Sequence, residues 1–347
     1  MTYRENYERW LASDKVDEAT KAELRAIADN DEEIEFRFIK DLEFGTGGLR
    51  GTMVAGTNAM NVYTVAHATQ GLADLINKEG RAAMGVAVGC DSRNNSRLFA
   101  ETAACVLAAN GIKVHLFRGI RPTPVLSFAV RELKCIAGIN ITASHNPKQY
   151  NGYKAYWEDG AQLPPDHAKT VSEFIAAADI FDDVKQMKLE DALNAGIVEY
   201  IPDEFDEIYL KNVLAEAVNP KVVAEVADDL KIVYTPLHGA GYRLVPEALK
   251  RIGLRHSYPV EEQMVLDGNF PTVDFPNPEY PEVFKLGIEL AERVGSDLIV
   301  ATDPDADRMG IMSRDKTGKF VCLTGNQVGA LLLDYIITAY EQTGMPE

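Results

Sequence analysis

The first forty residues carry apolar side chains at helical spacing. Apolar positions that recur every three or four residues predict amphipathic helices, and two such stripes predict two helices here. The stripes consist of Tyr3, Tyr7, Trp10 and Leu11, then Leu24, Ile27, Ile34 and Phe38. The acidic cluster at residues 29–35 fits a solvated helix face. We therefore expect residues 1–40 to be an N-terminal helical extension that packs on a domain.

From residue 65 onward, short apolar runs alternate with amphipathic segments. The runs predict strands at residues 84–90, 113–117 and 135–141, and the segments predict helices at residues 65–79, 96–110 and 124–133. Strands and helices that alternate at this spacing are typical of a mainly parallel sheet covered by helices. Side chains that follow these strands would then share one edge of the sheet.

A second series of the same kind follows. It predicts strands at residues 230–234 and 298–302 and helices at residues 242–252 and 282–294. The predicted fold is α/β, with consecutive domains that each contain a mixed, mainly parallel sheet covered by helices. We place the first domain at residues 41–200 and the second at residues 201–324.

The last segment, residues 325–347, predicts a helix with an apolar stripe. The stripe consists of Val328, Leu331, Leu332, Tyr335 and Ile336. A helix that is apolar on one face needs another layer to cover it. We expect this helix to open a third domain that the chain does not continue.

The charge balance limits the classes of partner. There are 53 acidic and 35 basic residues, a formal net charge of −18, whereas nucleic-acid binding needs basic surfaces. We expect no nucleic-acid partner, and any phosphate must be held by local groups. The four cysteines lack C-x-x-C spacing, which favours reduced thiols. With no apolar run near the about 20 residues of a membrane span and no signal-peptide pattern, we expect a cytoplasmic protein without a membrane partner.

A serine follows the strand predicted at residues 135–141. The sequence there is Ile-Thr-Ala-Ser-His-Asn-Pro, residues 141–147. Ligands of α/β proteins bind at the carboxyl ends of strands, so Ser144 is a candidate nucleophile or phosphate carrier. The alternative is an ordinary turn, in which Ser144 and Asn146 bond to local backbone groups. Those seven residues alone leave both interpretations open.

Further polar groups lie at neighbouring positions of the predicted sheet. Residues 45–51 contain four glycines and Arg50, a combination suited to phosphate because backbone N–H groups and a guanidinium are both accessible. Asp91 and Arg93 follow another strand and form an ion pair or part of a site. Lys154 lies among aromatic residues, where burial would lower its pKa toward a range useful for proton transfer; the alternative is a lysine on an exposed edge strand.

The acidic loop Asp-Pro-Asp-Ala-Asp-Arg at residues 303–308 follows the strand at residues 298–302. Carboxylates this close repel one another, and a hard divalent cation with oxygen ligands is their natural partner. An EF-hand is excluded because Arg308 and Arg314 occupy the positions of its glycine and its bidentate glutamate. Asp303, Asp305 and Asp307 therefore predict a metal site with positions open to a phosphate, with a solvated turn as the alternative.

Together these motifs resemble the α-D-phosphohexomutase superfamily, the phosphoglucomutase/phosphomannomutase family. Phe-Gly-Thr-Gly-Gly-Leu-Arg-Gly at residues 44–51 is similar to the family's arginine loop, where alanine is more usual at position 47. Residues 142–147 resemble its phosphoserine loop. Residues 303–308 resemble its metal loop, which often has glycines at positions 304 and 306. The order and separation of the three loops match, and the helical extension resembles the longer phosphoglucomutase/phosphopentomutase branch.

The resemblance implies a Mg²⁺-dependent mutase that interconverts glucose 1-phosphate and glucose 6-phosphate through glucose 1,6-bisphosphate. It implies that Ser144 carries the phosphoryl group and contacts the metal, that Asp303, Asp305 and Asp307 hold the metal, and that Lys154 is the general acid or base. Arg50 and His145 match further catalytic positions. The candidate phosphate-binding residues are Arg308, His238, Arg93 and Asn146.

The family has four domains, and only the first two and the opening helix of the third are matched. The later sugar-recognition and phosphate loops are not found in the sequence. We therefore expect an N-terminal fragment with little or no mutase turnover. Phosphopentomutase and phosphomannomutase are alternative activities. A metal-dependent phosphatase and a non-catalytic sugar-phosphate-binding protein are alternatives of other classes.

Overall fold

The first sheet of the computed structural model, which describes residues 1–344, contains six strands. They are β1 (Leu49–Thr52), β2 (Val86–Cys90), β3 (Val114–Phe117), β4 (Ala137–Ile141), β5 (Tyr150–Trp157) and β6 (Val198–Ile201). Their order is β1-β5-β4-β2-β3-β6. The strands β2, β3, β4 and β6 are parallel, whereas β5 is antiparallel to both its neighbours. The mixed sheet predicted for the first domain is confirmed.

Helices cover both faces of this sheet, and its central strands are therefore buried on both sides. Every residue of β2 and β4 is buried, as in parallel strands with a helix layer on each face. The N-terminal helices are α1 (Tyr3–Ala12), α2 (Glu18–Ala26) and α3 (Asp31–Phe38). The helices of the sheet are α4 (Val62–Lys78), α5 (Ser96–Ala109), α6 (Thr123–Glu132), α7 (Pro165–Ala177) and α8 (Leu189–Asn194), with a 3₁₀ turn at Ala82–Met84.

Helix α6 lies directly against β4. A side chain at Gly138 of β4 would place its Cβ 2.5 Å from Val130 Cγ2 of α6, and no real Cβ comes that close to another carbon. Glycine is therefore required for this close packing. Helix α6 begins at Thr123, which lies beside Asn140 near the carboxyl end of β4.

The second sheet of the described chain has five strands. They are β7 (Lys231–Thr235), β8 (His256–Pro259), β9 (Leu298–Thr302), β10 (Met309–Arg314) and β11 (Phe320–Leu323). In the order β11-β10-β9-β7-β8, β7 is parallel to β8 and β9, and β10 is antiparallel to β9 and β11. This sheet is mixed, but parallel pairs do not outnumber antiparallel pairs. The acidic loop is the reason, because it turns the chain directly from β9 into β10.

The remaining helices surround the second sheet and join it to the first. They are α9 (Phe205–Ala215), α10 (Pro220–Val226), α11 (Gly241–Arg251), α12 (Glu261–Met264), α13 (Lys285–Val294) and α14 (Gly325–Thr343), with a 3₁₀ turn at Pro281–Phe284. Phe205 of α9 and Leu244 of α11 share one apolar cluster with Phe117 and Phe128 of the first domain. The domain boundary predicted after residue 200 falls within β6 of the first sheet, and the exact division of domains stays a prediction.

The N-terminal extension contains three helices within residues 1–40, not the predicted two. Helix caps explain the difference. The side chain of Asp17 accepts a hydrogen bond from Thr20 N at the start of α2, and that of Asn30 accepts one from Glu33 N at the start of α3. Each N-cap side chain satisfies a free backbone N–H in the first turn of a helix and so marks the start of a new helix. The acidic residues at 31–33 then lie in the first turn of α3, where the helix dipole favours negative charge.

Helix α14 begins with a capping box in which Thr324 and Gln327 each accept a hydrogen bond from the other's backbone. Of its apolar stripe, Val328 is buried, whereas the other four side chains are exposed in the described structure; Leu331, for example, is 60 % exposed. A third domain stays a prediction, and residues 345–347 of that predicted segment lie outside the described residues. Among the described residues, no helix combines the length and the apolar character needed to cross a membrane.

The packing of the extension predicts a large stability loss for Trp10→Ala. The indole is 1 % exposed and packs edge-on against the rings of Phe38, Tyr63 and Phe181. Removing such a side chain should lower the free energy of unfolding by about 3–5 kcal/mol, measured by urea denaturation. Phe36→Ala in α3 is the matched control, because Phe36 is 51 % exposed and should change stability by about 0.5 kcal/mol or less. Equal effects of the two variants would contradict this packing.

Candidate active site

Ser144 lies in a tight turn just after β4. Its φ of +51° places it in the left-handed region, which non-glycine residues adopt mainly at special sites. Its backbone N–H donates to Thr142 Oγ1 at 2.8 Å, and Asn146 N donates to Ala143 O at 3.1 Å. The local turn considered from the sequence is therefore present. The Ser144 hydroxyl, however, does not serve the turn; it donates to Asp303 Oδ2 of the acidic loop at 2.6 Å.

The guanidinium of Arg93 holds this turn in place. Its Nη2 donates to Ser144 O at 2.6 Å and to Asn146 O at 2.5 Å, while Nη1 donates to Pro147 O at 2.9 Å and to Tyr150 O at 3.1 Å. Carbonyls that converge on one buried cation are bound strongly and specifically. This contact set differs from the phosphate-binding role predicted for Arg93. The side chain acts on the backbone of the serine turn.

Arg93 also forms the ion pair that the sequence left as an alternative. Its Nε lies 3.4 Å from Asp91 Oδ2, and both side chains are fully buried. Asp91 in turn accepts hydrogen bonds from Arg93 N and from Ser96 Oγ. The ion pair holds the guanidinium in the position from which it bonds to the carbonyls of the serine turn.

The acidic loop between β9 and β10 meets the first sheet at the same place. Asp303 and Asp305 are fully buried, whereas Asp307 is partly exposed. Lys154 of β5 donates from Nζ to Asp305 Oδ2 at 2.8 Å and to Asp307 Oδ2 at 2.9 Å. Strand β5 lies between β1 and β4, so the alternative of an edge-strand lysine is wrong. Ser144 and Lys154 therefore contact the three aspartates from the opposite domain.

Charge interactions within the cluster shift the pKa values in different directions. Burial and the carboxylates of Asp305 and Asp307 raise the pKa of Asp303 well above its ordinary value. Burial alone would raise the pKa of Asp305, but the ammonium of Lys154 outweighs it and leaves that pKa lowered. For Lys154, burial lowers the pKa, while the two carboxylates raise it more, so the net pKa is raised. The expectation of a lowered lysine pKa is wrong for this arrangement.

The three aspartates fit a hard divalent cation. One carboxylate oxygen from each lies within 4.8 Å of the other two, and opposite oxygen ligands of Mg²⁺ are about 4.2 Å apart. Asp305 Oδ1 is buried and has no hydrogen-bond partner among the described residues. An unpaired buried carboxylate oxygen is costly, and a cation would satisfy it. The donor set is oxygen only, which suits magnesium, calcium or manganese.

Cationic and polar side chains lie near the serine turn, in addition to the acidic loop. His145 Nδ1 lies 3.2 Å from Ser144 Oγ, and Arg50 Nη1 donates to Asn146 Oδ1 at 3.1 Å. Burial, followed by the charges of Arg308 and Arg50, lowers the pKa of His145. The Arg308 side chain is 43 % exposed, and its guanidinium lies 4.0 Å from Glu279. Both arginines are exposed, and their predicted role in phosphate binding stays a prediction.

His238 is not brought into this cluster as a free ligand. Its Nδ1 is bonded to Val265 O at 2.7 Å and its Nε2 to Thr272 Oγ1 at 2.8 Å, so both ring nitrogens have partners. The backbone beside it does contact the acidic loop, where Ala240 N donates to Pro304 O at 2.7 Å. The side chain of His238 therefore bonds to residues outside the acidic loop, and its predicted role in phosphate binding stays a prediction.

Two site residues were missed from the sequence. Thr123 Oγ1 donates to Asp305 Oδ2 at 2.7 Å, and Asn140 Nδ2 donates to Thr123 Oγ1 at 2.7 Å. Thr123 begins α6 after β3, and helices that follow parallel strands begin at the ligand-binding edge of the sheet. That rule could have identified Thr123. Asn140 lies within an apolar strand. A polar side chain at such a buried position indicates a specific hydrogen-bonding role, and this could have identified Asn140.

Comparison with known proteins finds a protein family whose domains match this chain. Residues 41–180 match domain I, and residues 207–318 match domain II, of the phosphoglucomutase/phosphomannomutase α/β/α domains. The first match contains Ser144 and Lys154, and the second contains the three aspartates. Together the matched regions include both sheets' site loops and most of the chain.

Individual relatives carry related names. A phosphoglucomutase of Staphylococcus haemolyticus is 38 % identical over 89 % of this chain and 55 % of its own length. A phosphoribomutase of Saccharomyces cerevisiae is 37 % identical over 96 % of this chain and 56 % of its own length. A Thermus thermophilus structure assigned as a phosphomannomutase has a TM-score of 0.66 and 27 % identity, covering 81 % of this chain and 58 % of that one.

The chain spans just over half the length of the curated relatives it matches. Within that span the family's two domains appear in order, each with its own sheet, and the serine turn of one meets the acidic loop of the other. The chain belongs to the phosphoglucomutase/phosphomannomutase family of the α-D-phosphohexomutase superfamily.

Proposed function

We propose that this chain supplies the phosphoryl carrier and the metal ligands of a phosphosugar mutase that interconverts glucose 1-phosphate and glucose 6-phosphate. One observation carries the proposal: the Ser144 hydroxyl lies 2.6 Å from Asp303 Oδ2, within an oxygen cluster suited to a divalent cation. A turn residue needs no such partner. A phosphoryl carrier needs a cation beside it, because charge on the transferred group must be neutralised where it develops, and this oxygen cluster is suited to hold one.

The transfer requires Ser144 to alternate between a phosphate ester and a free hydroxyl. When the sugar monophosphate accepts the group, the bond from Ser144 Oγ to phosphorus breaks and a bond from the sugar hydroxyl oxygen to phosphorus forms. The sugar hydroxyl loses its proton, and Ser144 Oγ gains one. In the free hydroxyl state Oγ donates to Asp303 and lies 3.2 Å from His145 Nδ1. The reverse exchange at the other position of glucose 1,6-bisphosphate restores the phosphoserine.

The metal is proposed to be Mg²⁺, held by Asp303, Asp305, Asp307 and an oxygen on Ser144. When bound, it supplies a positive charge that polarises the transferred phosphoryl group. The remaining residues position the reactants. Lys154 fixes two of the carboxylates and, as the family resemblance implies, is the candidate general acid or base for the sugar oxygen.

The phosphate groups of the substrate are proposed to bind to Arg50, His145 and Arg308, with Asn146 orienting Arg50. Arginine suits this role because its planar fork matches phosphate oxygens. Arg93 and His238 are proposed to act on the loops that carry these groups. Both Nη atoms of Arg93 and both ring nitrogens of His238 already form hydrogen bonds with other residues.

The sugar is the part of the proposal with alternatives. Relatives at 36–40 % identity are named phosphoglucomutase, which favours a glucose phosphate. The name phosphoribomutase for a relative of similar identity favours a pentose phosphate as the second candidate. Because the chain spans just over half of these relatives, we expect phosphoserine formation without full mutase turnover. Full turnover by residues 1–347 alone would contradict this expectation.

Ser144 should be the residue that is phosphorylated. After incubation with Mg²⁺ and glucose 1,6-bisphosphate, intact-mass spectrometry should detect one added phosphoryl group on the wild-type chain and none on Ser144→Ala. Ser127→Ala is the matched control, since the Ser127 hydroxyl bonds to Gly160 O, outside the cluster, and this variant should be phosphorylated. A phosphoryl group retained by Ser144→Ala would assign the carrier to another residue.

The same experiment separates a mutase from a phosphatase. A mutase passes the group to added glucose 1-phosphate, whereas a phosphatase releases it as inorganic phosphate. Steady accumulation of inorganic phosphate without transfer to the sugar would favour the phosphatase.

The metal site predicts that Asp303→Asn weakens Mg²⁺ binding by more than about tenfold, because mutating even the partners of metal ligands costs about that much. Isothermal titration calorimetry measures the affinity directly. Since a bound ion stabilises the folded state, Mg²⁺ should also raise the thermal midpoint of the wild type and not that of the variant.

Asp334→Asn is the control for this variant. Asp334 lies on α14 and is exposed, so its loss should leave Mg²⁺ affinity unchanged. Equal affinity of the wild type and Asp303→Asn would contradict a metal site in the acidic loop.

A further inference from the structure

The two carboxylate oxygens of Asp305 have different surroundings. Oδ2 accepts hydrogen bonds from Thr123 Oγ1 at 2.7 Å and from Lys154 Nζ at 2.8 Å. Oδ1 is buried and has no hydrogen-bond partner among the described residues. Because a buried carboxylate is stable only when its oxygens are satisfied, this asymmetry leaves Oδ1 as the oxygen of Asp305 that is available to a cation.

The donors on Oδ2 decide which oxygen is left free. A carboxylate held at one oxygen by two donors from fixed elements cannot rotate without losing both bonds. Thr123 adds a second contact, since its backbone N–H donates to Asp305 O at 2.8 Å. The threonine therefore holds the aspartate at both its side chain and its backbone.

Asn140 sets the direction of the threonine hydroxyl. It is fully buried on β4, and its Nδ2 donates to Thr123 Oγ1 at 2.7 Å. A hydroxyl has one proton to donate. The Thr123 oxygen already accepts a hydrogen bond from the NH₂ group of Asn140, which can only donate. Thr123 therefore directs its own proton to Asp305. The bonds thus run in one direction from β4, through the start of α6, to the acidic loop of the second sheet.

We propose that Thr123, oriented by Asn140, is a positioning residue that presents Asp305 Oδ1 to the divalent cation. The inference rests on the proposed metal site and extends it to residues of the first domain. Since β4 also leads into Ser144, one strand controls both the phosphoryl carrier and the orientation of a metal ligand. Partners that orient metal ligands typically contribute about 10–100-fold to metal affinity.

The test measures Mn²⁺ binding, because free Mn²⁺ can be counted by electron paramagnetic resonance and carboxylate sites accept it. Thr123→Val keeps the shape of the side chain and removes the hydroxyl, so the dissociation constant for Mn²⁺ should rise about 10–100-fold. Thr123→Ser retains the donor and should restore affinity to within about threefold of the wild type, a factor worth only about 0.7 kcal/mol. A residue that merely filled space would not show this rescue.

Thr102→Val is the matched control for replacing a threonine by valine. Thr102 lies on α5, away from the acidic loop, and its hydroxyl bonds to Leu98 O, so Mn²⁺ affinity should not change. Thermal midpoints of all variants establish that they are folded. Thr123→Ala, which removes the hydroxyl without adding a methyl group, carries the same expectation if Thr123→Val does not fold.

The outcomes distinguish this inference from the proposed function. Wild-type affinity in Thr123→Val, together with lost affinity in Asp305→Asn, would overturn the positioning role and leave the metal site standing. No Mn²⁺ binding by the wild-type chain would contradict the metal site itself, and the inference with it. Weakened binding in Thr123→Val that Thr123→Ser restores supports the inference.

Discussion

Three neighbouring carboxylates repel one another, and the arrangement of the two sheets supplies the hydrogen-bond donors that offset this repulsion. Asp303 and Asp305 are fully buried, and the raised pKa of Asp303 expresses the cost of burial and of its neighbours' charges. Most donors that offset this cost come from the other sheet: the Ser144 hydroxyl, the Lys154 ammonium and the Thr123 hydroxyl. The acidic loop is therefore stable only where the carboxyl end of the first sheet faces it.

The same junction concentrates backbone strain. Ser144, His238 and Ala306 all have positive φ values, of +51°, +64° and +52°, and each lies in or beside the cluster. For a residue with a Cβ this conformation costs roughly 1–2 kcal/mol. Glycine would adopt it freely. Alanine is accommodated here because the loop is held on both sides by hydrogen bonds, including Ala306 N to Asp303 O at 2.9 Å.

How much was predictable from the sequence depends on how local the determining interaction is. The central strands follow from apolar runs, and the acidic loop follows from its charges, so both were predicted within one or two residues. The third N-terminal helix was missed because one capping side chain, Asn30, decides it. The bonds of Arg93 to the serine turn and of Thr123 to Asp305 could not be predicted, since each joins residues that are distant in the chain, up to 182 positions apart for Thr123 and Asp305.

The net charge of −18 and the proposed phosphate site are compatible because the positive charge of that site is local. Arg50 and Arg308 are accessible beside Ser144, and together they lower the pKa of His145 after the effect of burial. A histidine with a lowered pKa is mostly neutral near pH 7, so the fixed positive charge comes from the two arginines. Their charge persists at every physiological pH, whereas that of a histidine would not. The net negative charge disfavours anions over the surface as a whole, so the two arginines are the groups that would favour a phosphate beside the serine.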